Sequence, residues 1–284
     1  MSAIKTAIPL ICAAALSLAA CVGSENEPVG RLPLVVEGWI EEGQAPVVML
    51  THAVDLTADV ASFDDFVEKW ARVSIFDGDT RYILTGRINN AYTPSFVYTS
   101  SRLKGRIGHT YRLVVETETD TLEASATMLP RPDLVRLEAV AVEGTDSMYT
   151  IRAFVDDILP DGYYKLFSRD FSQDERYYAT FTGTFAGYSY DPAEGIVVTR
   201  GIHSTFEDAD AFSHYYKAGS RVTVKACSIE PDIYDFWRVY DSSVSLSGNL
   251  FFTFAENCPS NISGGLGYWA AYGASQRTIV IPED

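Results

Sequence analysis

The sequence predicts an all-β protein whose strands are mostly antiparallel, and three observations support this prediction. From residue 32 onward, apolar and polar residues alternate with a period of two, as in strands that bury one face. Turn signals rich in Gly, Asp and Pro separate these segments at short intervals. Only one segment has the period of an amphipathic helix. Short strands at this spacing favour a sandwich of the immunoglobulin or fibronectin type over residues 32–132.

The first elements of this sandwich are predicted to form a hairpin. Leu34–Ile40 and Pro46–Thr51 both alternate, and the polar segment Glu41–Gln44 between them contains a glycine suited to a tight turn. Asp77-Gly78-Asp79 is a second strong turn signal. The further strands expected in this part are Ala71–Phe76, Arg81–Leu84, Gly108–Glu116 and Thr121–Thr127.

A domain boundary is expected at Pro130-Arg131-Pro132, because two prolines stiffen the backbone and cannot donate hydrogen bonds to a strand ladder. Aromatic residues are more frequent after this point. We therefore predict a second, aromatic-rich β domain over residues 133–284. Its strands are expected at Leu134–Val142, Met148–Val155, Tyr163–Ser168, Tyr177–Tyr190, Gly195–Gly201 and Gly219–Cys227.

One segment of the second part is predicted to be an amphipathic helix over residues 231–245, packed on the second sheet. Pro231 suits its first turn, and Asp232 favours the positive end of the helix dipole. Gly248 follows it as a terminator. The apolar face consists of Ile233, Phe236, Trp237, Tyr240 and Val244.

The first twenty residues are predicted to be a lipoprotein signal peptide. Lys5 supplies a positive charge, and the apolar run 7–20 is shorter than the roughly 20 residues that a membrane-spanning helix needs. The run ends in Leu18-Ala19-Ala20-Cys21, which resembles the bacterial lipobox. The thiol of Cys21 would then carry the acyl chains. An ordinary signal cleavage site that happens to precede a cysteine is the alternative.

Residues 21–31 are predicted to form the lipidated cysteine and a flexible tether. Glu25 and Glu27 resemble the acidic surface-export signals of Bacteroidota lipoproteins, and a solvated linker is the alternative. The expected location is therefore the bacterial cell envelope, as an outer-membrane lipoprotein held by its lipid. Whether it faces the periplasm or the cell surface stays open.

The charge balance argues against a nucleic-acid partner. The chain has 22 Lys and Arg against 38 Asp and Glu, a net charge of −16 and a pI near 4.6. Phosphate binding needs a basic surface, and the long-range field of this chain repels polyanions.

Two cysteines would remain after the signal peptide is removed and Cys21 is acylated. Because the compartment is oxidising, a disulfide between Cys227 and Cys258 is predicted. It would stabilise the fold by roughly 3 kcal/mol on the chain-entropy model. Two buried free thiols are the alternative.

No catalytic or cofactor motif stands out, and we expect a protein that is not an enzyme and has no cofactor. The nucleophile motif G-x-S-x-G and the zinc motif H-E-x-x-H do not occur. With 38 acidic residues, a carboxylate pair for glycoside hydrolysis stays open as an alternative.

No metal site is expected, although two acidic segments are weak candidates for calcium, a cation that prefers oxygen ligands. His203 and His214 flank the second of these segments, but their spacing matches no common zinc site. The candidate ligands are Asp156, Asp157, Glu207, Asp208 and Asp210.

Exposed aromatic residues can anchor a partner or stack on sugar rings. The candidate docking residues are Tyr188, Tyr190, Tyr268, Trp269 and Tyr272. The alternative is that these aromatics fill the core and the cross-strand pairs of a β domain. Gly264, Gly265 and Gly267 lack the following helix of a phosphate loop, so they indicate a turn or a close backbone approach, or else a docking loop.

Four parts of the chain carry a family resemblance: Leu34–Ile40 with Pro46–Thr51, Phe154–Asp157 before Tyr163-Tyr164, the helix Tyr234–Ser245, and the closing segment Pro259–Tyr272. Together they resemble an uncharacterised family of Bacteroidota lipoproteins, the domain of unknown function 4249. Members are often encoded beside TonB-dependent outer-membrane receptors. The resemblance therefore implies an accessory role in nutrient uptake and specifies no activity. Cys258 departs from the small or aliphatic residue expected at its position.

We therefore expect a non-enzymatic outer-membrane lipoprotein that assists a TonB-dependent receptor. The first alternative is a surface module that binds a glycan or peptide on its own. The second is a hydrolase built on carboxylates that lie apart in the sequence.

Overall fold

The computed structural model describes residues 32–53, 63–201, 213–247 and 258–283. The signal peptide, Cys21 and the tether lie outside the described residues. The first strands are β1 Leu34–Glu41, β2 Val47–His52, β3 Arg72–Asp77, β4 Thr80–Ile83, β5 Thr85–Ile88, β6 Phe96–Thr99, β7 Thr110–Glu116 and β8 Thr121–Thr127. They are followed by β9 Asp133–Ala141, β10 Met148–Asp156, β11 Tyr163–Asp170, β12 Tyr178–Ala186, β13 Ile196–Val198, β14 Tyr216–Lys217, β15 Arg221–Ile229, the helix α1 Pro231–Ser247 and β16 Leu266–Val280.

The described strands form three sheets. The largest has eight strands in the order β12-β11-β15-β16-β1-β2-β6-β5. A four-stranded sheet has the order β4-β3-β7-β8, and in the third sheet β10 pairs with β9, β13 and β14. All pairs are antiparallel except that of β1 with β16 and one isolated bridge. The predicted all-β, mostly antiparallel fold is confirmed.

The first sandwich packs one half of the eight-stranded sheet against the four-stranded sheet. Alternation along β1 follows the prediction, because Leu34, Val36, Gly38 and Ile40 are buried and every second residue between them is partly exposed. These side chains share one core with residues of β3, β7 and β8, such as Ile75 and Leu113. Period-two patterning therefore gave the right fold here.

A second core lies between the third sheet and the strands β11, β12 and β15. The opposite face of β11 and β15 is covered by α1, which buries Ile233, Phe236 and Trp237. The predicted helix is confirmed and runs to Ser247, two residues beyond its predicted end.

The strand β16 belongs to both sandwiches, and sequence patterning did not predict it as a strand. Over Leu266–Tyr272 it pairs in parallel with β1, and over Gly273–Val280 it pairs antiparallel with β15. Trp269 and Ala271 thereby complete the core of the first sandwich. Pro33–Asp284 form one compact unit. The prediction of separate domains at 32–132 and 133–284 therefore needs correction, because the closing strand is shared.

Gly267 shows why the closing segment is rich in glycine. Its φ is +99°, and a Cβ atom built there would lie 1.9 Å from the carbonyl oxygen of Val36. Only glycine lets β16 approach β1 this closely, so the close-approach interpretation of these glycines is correct.

Candidate functional site

The aromatic residues of the closing segment are buried, so their predicted role in docking is wrong. Trp269 is fully buried in the first sandwich, where its Nε1 donates to the carbonyl oxygen of Tyr111 at 2.9 Å. Tyr268 and Tyr272 point to the opposite face, beneath α1. The ring of Tyr268 packs 4.6 Å from Phe236, measured between centroids. Both faces of β16 are covered over Tyr268–Tyr272, which is why alternation could not reveal this burial.

Cys227 and Cys258 are free thiols, so the predicted disulfide is wrong. Cys227 is fully buried in the middle of β15, beneath the aromatic side chains of α1, whereas Cys258 is partly buried at the margin of the same cluster. Burial raises the pKa of both thiols. The structure matches the alternative of unpaired cysteines.

The calcium hypothesis finds no support in the described residues. Asp156 and Asp157 are exposed, and no group of three or more His, Cys, Asp or Glu residues in the described ranges is arranged to hold a metal. His214 contacts the ring of Phe181 at a centroid distance of 4.7 Å. The other candidates lie outside the described residues: His203, Glu207, Asp208 and Asp210.

The two tyrosines of the Tyr188–Tyr190 segment have different environments. Tyr190 is structural, since its hydroxyl accepts a hydrogen bond from the backbone N–H of Val155 at 2.8 Å and its ring packs on Phe185. Tyr188 lies on the short 3₁₀ turn Gly187–Ser189 and is 75% exposed. Of the five predicted docking residues, Tyr188 is therefore the one available to a partner.

Tyr188 is part of a larger surface, the tyrosine patch, in which Leu159 and Tyr188 are exposed while Tyr163 and Tyr234 are partly buried against the core beneath α1. The rings of Tyr163 and Tyr234 lie 4.5 Å apart between centroids, and Tyr188 is close enough to affect the pKa of Tyr234. Leu159 is 61% exposed. The carbonyl oxygen of Leu159 lies against Gly187, the residue before Tyr188, since a Cβ atom built on Gly187 would lie 1.9 Å from that oxygen.

The backbone beneath the tyrosine patch is held in place by hydrogen bonds. The N–H of Leu159 donates to the hydroxyl of Tyr164 at 2.8 Å, and the N–H of Gly162 donates to the carbonyl of Leu159 at 2.9 Å. The N–H of Gly187 donates to Gly162 at 2.8 Å and so joins the two turns that carry the patch. The patch is thus a preformed apolar and phenolic surface.

A second assembly, the Arg176 cluster, lies on the side of the eight-stranded sheet that faces away from the first sandwich. It consists of Glu37, Trp39, Tyr92, Arg176 and Tyr178. The guanidinium carbon of Arg176 lies 5.0 Å from the ring centroid of Tyr92 and 4.9 Å from that of Tyr178. Trp39 packs 6.0 Å from Tyr92 between centroids. The Nε atom of Arg176 is buried and has no hydrogen-bond partner.

The carboxyl group of Glu37 borders the Arg176 cluster. Burial raises its pKa, while the charge of Arg176 and a hydrogen bond from the hydroxyl of Tyr268, at 3.4 Å, oppose the shift. Four residues further along β1, Glu41 pairs with Lys225 at 2.5 Å, and the Lys225 ammonium lies over the ring of Tyr177 at 4.4 Å. Charged and aromatic groups therefore alternate across this face.

Sequence analysis missed both the Arg176 cluster and three of the four residues of the tyrosine patch. The cluster brings together β1, the segment before β6 and the residues around the start of β12, which lie far apart in the chain. A usable signal existed for Tyr234, because it is an aromatic residue outside the apolar face of its helix.

The fold and these surfaces define a β-sandwich protein with an exposed aromatic patch. The family model described as "Domain of unknown function (DUF4249)" matches residues 27–278, so the chain belongs to this family. The comparison with curated proteins found no match.

Among solved structures, a two-domain fibronectin type-III segment of chicken tenascin is similar over 69% of this chain and 90% of that chain. The identity is 10% and the TM-score is 0.20. With so low a TM-score, the fold class depends on the sheets of this chain alone. In the described ranges, no helix is both long enough and apolar enough to cross a membrane.

Proposed function

We propose that the protein is a non-enzymatic lipoprotein of the bacterial outer membrane that assists a TonB-dependent receptor by docking to it through the tyrosine patch. The observation that carries the proposal is the exposure of Tyr188 and Leu159 on a backbone fixed by hydrogen bonds. Tyrosine is enriched at interface hot spots, because its large ring loses little conformational entropy when it is buried.

The lipid anchor of the proposal rests on the lipobox-like segment Leu18–Cys21. Each buried CH₂ group of an acyl chain contributes about 0.8 kcal/mol, so two or three chains on Cys21 would hold the protein firmly. Residues 22–31 would then act as the link between the membrane and β1. Anchoring in the same membrane as the receptor would strengthen docking, because tethering raises the effective concentration of the partner.

The anchor is tested by growing the producing bacterium with an alkyne fatty acid and measuring label in the purified protein. We expect label in the wild type and none in Cys21→Ser. An unlabelled wild-type chain whose intact mass still includes Met1 would overturn the anchor.

Docking is tested by co-purification of the receptor encoded beside the gene, with the tagged wild type and two variants. Tyr188→Ala with Tyr234→Ala should reduce receptor recovery by about tenfold or more, the loss expected for a hot spot. Trp70→Ala is the matched control, because Trp70 is 92% exposed and belongs to the first sandwich, outside the patch. Equal recovery with both variants and the wild type would contradict docking through the patch.

A second function is favoured by the ring pair Tyr163 and Tyr234, whose planes are tilted by 32° and whose rings could also receive a sugar or a peptide side chain. In this case the protein would bind a glycan or peptide without a receptor. Binding on a glycan or peptide array that Tyr234→Ala abolishes would support it, and an empty array would remove it. Trp269→Ala is unsuitable for this purpose, because Trp269 belongs to the core.

A further inference from the structure

Arg176 has a buried hydrogen-bond donor without an acceptor. Its Nε is inaccessible to solvent and makes no hydrogen bond, and no ion pair of Arg176 occurs among the residues that the structure describes. Buried donors are nearly always paired, and an unpaired one on a cation is especially costly. An acceptor supplied by a bound ligand would satisfy the unpaired Nε–H of Arg176.

The surroundings of Arg176 hold its guanidinium ready for a planar acceptor. Tyr92 and Tyr178 lie at 5.0 and 4.9 Å and favour the cation through their rings. Arg176 also forms a side-chain hydrogen bond with Tyr178, and the remaining N–H groups of a guanidinium match the oxygens of a carboxylate or phosphate. Arg176, Tyr92 and Tyr178 are all partly exposed, so the cluster can be reached from solvent.

The neighbouring groups fit an anion that has an apolar body. Trp39 extends the aromatic surface beside Tyr92, with 6.0 Å between ring centroids. Glu37 is the carboxyl group whose charge reaches Arg176, and it would repel a second anion when ionised. Burial raises the pKa of Glu37, which lowers the cost of protonating it when an anion arrives.

We propose that the Arg176 cluster binds a small organic anion, with its carboxylate or phosphate on the guanidinium of Arg176 and its flat apolar part against Tyr92 and Trp39. This site is distinct from the tyrosine patch in the residues that form it. It depends neither on the lipid anchor nor on receptor docking.

The proposal is tested by calorimetric titration of the full mature protein in detergent with three probes. N-acetyl-tyrosine offers a carboxylate, phenyl phosphate offers a phosphate, and N-acetyl-tyrosinamide offers the same ring as the first without charge. We expect at least one anionic probe to bind about tenfold or more tightly than the amide. Comparison of the two anionic probes distinguishes a carboxylate ligand from a phosphate ligand.

Variants then assign the binding to Arg176. Arg176→Gln should weaken the anionic probe by about tenfold or more, and Arg176→Lys, which keeps the charge but loses the planar fork, should weaken it less. Arg87→Gln is the matched control, since Arg87 is exposed on β5, outside the cluster, and should bind like the wild type. The near-ultraviolet circular dichroism of each variant reports whether it is folded. If Arg176→Gln does not fold, Arg176→Lys is used for the binding comparison.

Three results would overturn the proposal: no binding of either anionic probe to the wild type, equal binding of the acid and the amide, or unchanged binding in both Arg176 variants. Each leaves the lipid anchor and the tyrosine patch untouched, because those are measured by labelling and co-purification.

Discussion

The ammonium group of Lys165 lies 2.9 Å from both carboxylate oxygens of Asp241, and this ion pair joins the central sheet to α1. Lys165 is fully buried, and its Nζ also donates to Thr184 Oγ1 and the carbonyl of Thr180, each at 2.9 Å. Burial lowers the pKa of Lys165, and the charge of Asp241 opposes that shift. The helix is thus attached by a polar contact as well as by its aromatic face.

Removal of one partner from this pair should be strongly destabilising. Asp241→Asn leaves the buried ammonium without its counter-charge, and we expect the free energy of unfolding to fall by about 3–5 kcal/mol. Urea denaturation of the protein measures this change in the free energy of unfolding. Lys165→Met combined with Asp241→Leu should recover most of the loss, because an apolar pair requires no desolvation of charge. A single variant that unfolds at the wild-type urea concentration would show that the pair contributes little.

Stability should depend on pH through Glu37. Burial raises its pKa in the folded state above the ordinary value of 4.5, so the folded state holds this proton more tightly than the unfolded state does. The resulting stabilisation is complete below about pH 4.5 and is lost as the pH rises through the folded-state pKa. Glu37→Gln cannot lose this proton, so its stability relative to the wild type should increase between about pH 4 and pH 8.

Denaturation of Glu37→Gln and wild type at several pH values in this range checks the expectation. Glu118→Gln is the control, because Glu118 is an exposed carboxyl group on the turn between β7 and β8. A constant difference between Glu37→Gln and wild type across the pH range would refute the assignment.

Gly267 should not tolerate a side chain. Gly267→Ala places a Cβ atom against the carbonyl oxygen of Val36 and requires a left-handed backbone, so we expect a loss of about 2–5 kcal/mol or failure to fold. Gly78→Ala shares the positive φ but meets no atom within 4 Å, so it should cost only about 1–2 kcal/mol. Thermal unfolding of the two variants separates the steric effect from the backbone effect. Equal losses would mean that the close approach to β1 is unimportant.

The two cysteines should differ in reactivity. In the native mature protein a thiol reagent should modify Cys258 slowly and leave Cys227 unmodified, since Cys227 is fully buried and burial raises the pKa of both thiols. Denaturation without a reductant should release both thiols to the reagent. Mass spectrometry of the labelled peptides identifies the modified cysteines. A protein that takes up no reagent until it is reduced would show that Cys227 and Cys258 form a disulfide after all.

Sequence reasoning predicted β1, whose alternation reflects burial of one face, and missed β16, which is buried on both faces over Tyr268–Tyr272. The alternation of Leu34–Ile40 identified β1 because one of its faces is the first core. In β16, Tyr268 and Trp269 are neighbours in sequence and are buried on opposite faces, one beneath α1 and one inside the sandwich. No periodicity distinguishes such a segment from an exposed aromatic one.

The candidate sites depended even more on tertiary structure. Tyr188 is one of the five predicted docking residues, yet the neighbours that complete its surface, Leu159 and Tyr234, come from a distant loop and from α1. Arg176 gave no signal in the sequence, since its significance comes from Tyr92 and Glu37, which pack around it only after folding.

The sharing of β16 between the two sandwiches has a consequence for biogenesis. The contact between Val35 and Leu266 cannot form until almost the entire polypeptide has emerged from the ribosome, and such distant pairing slows folding. A nascent chain interrupted before residue 266 would leave β1 and β15 with unpaired edges, which recruit other chains into aggregates. A product truncated by premature termination before β16 therefore cannot complete either sandwich.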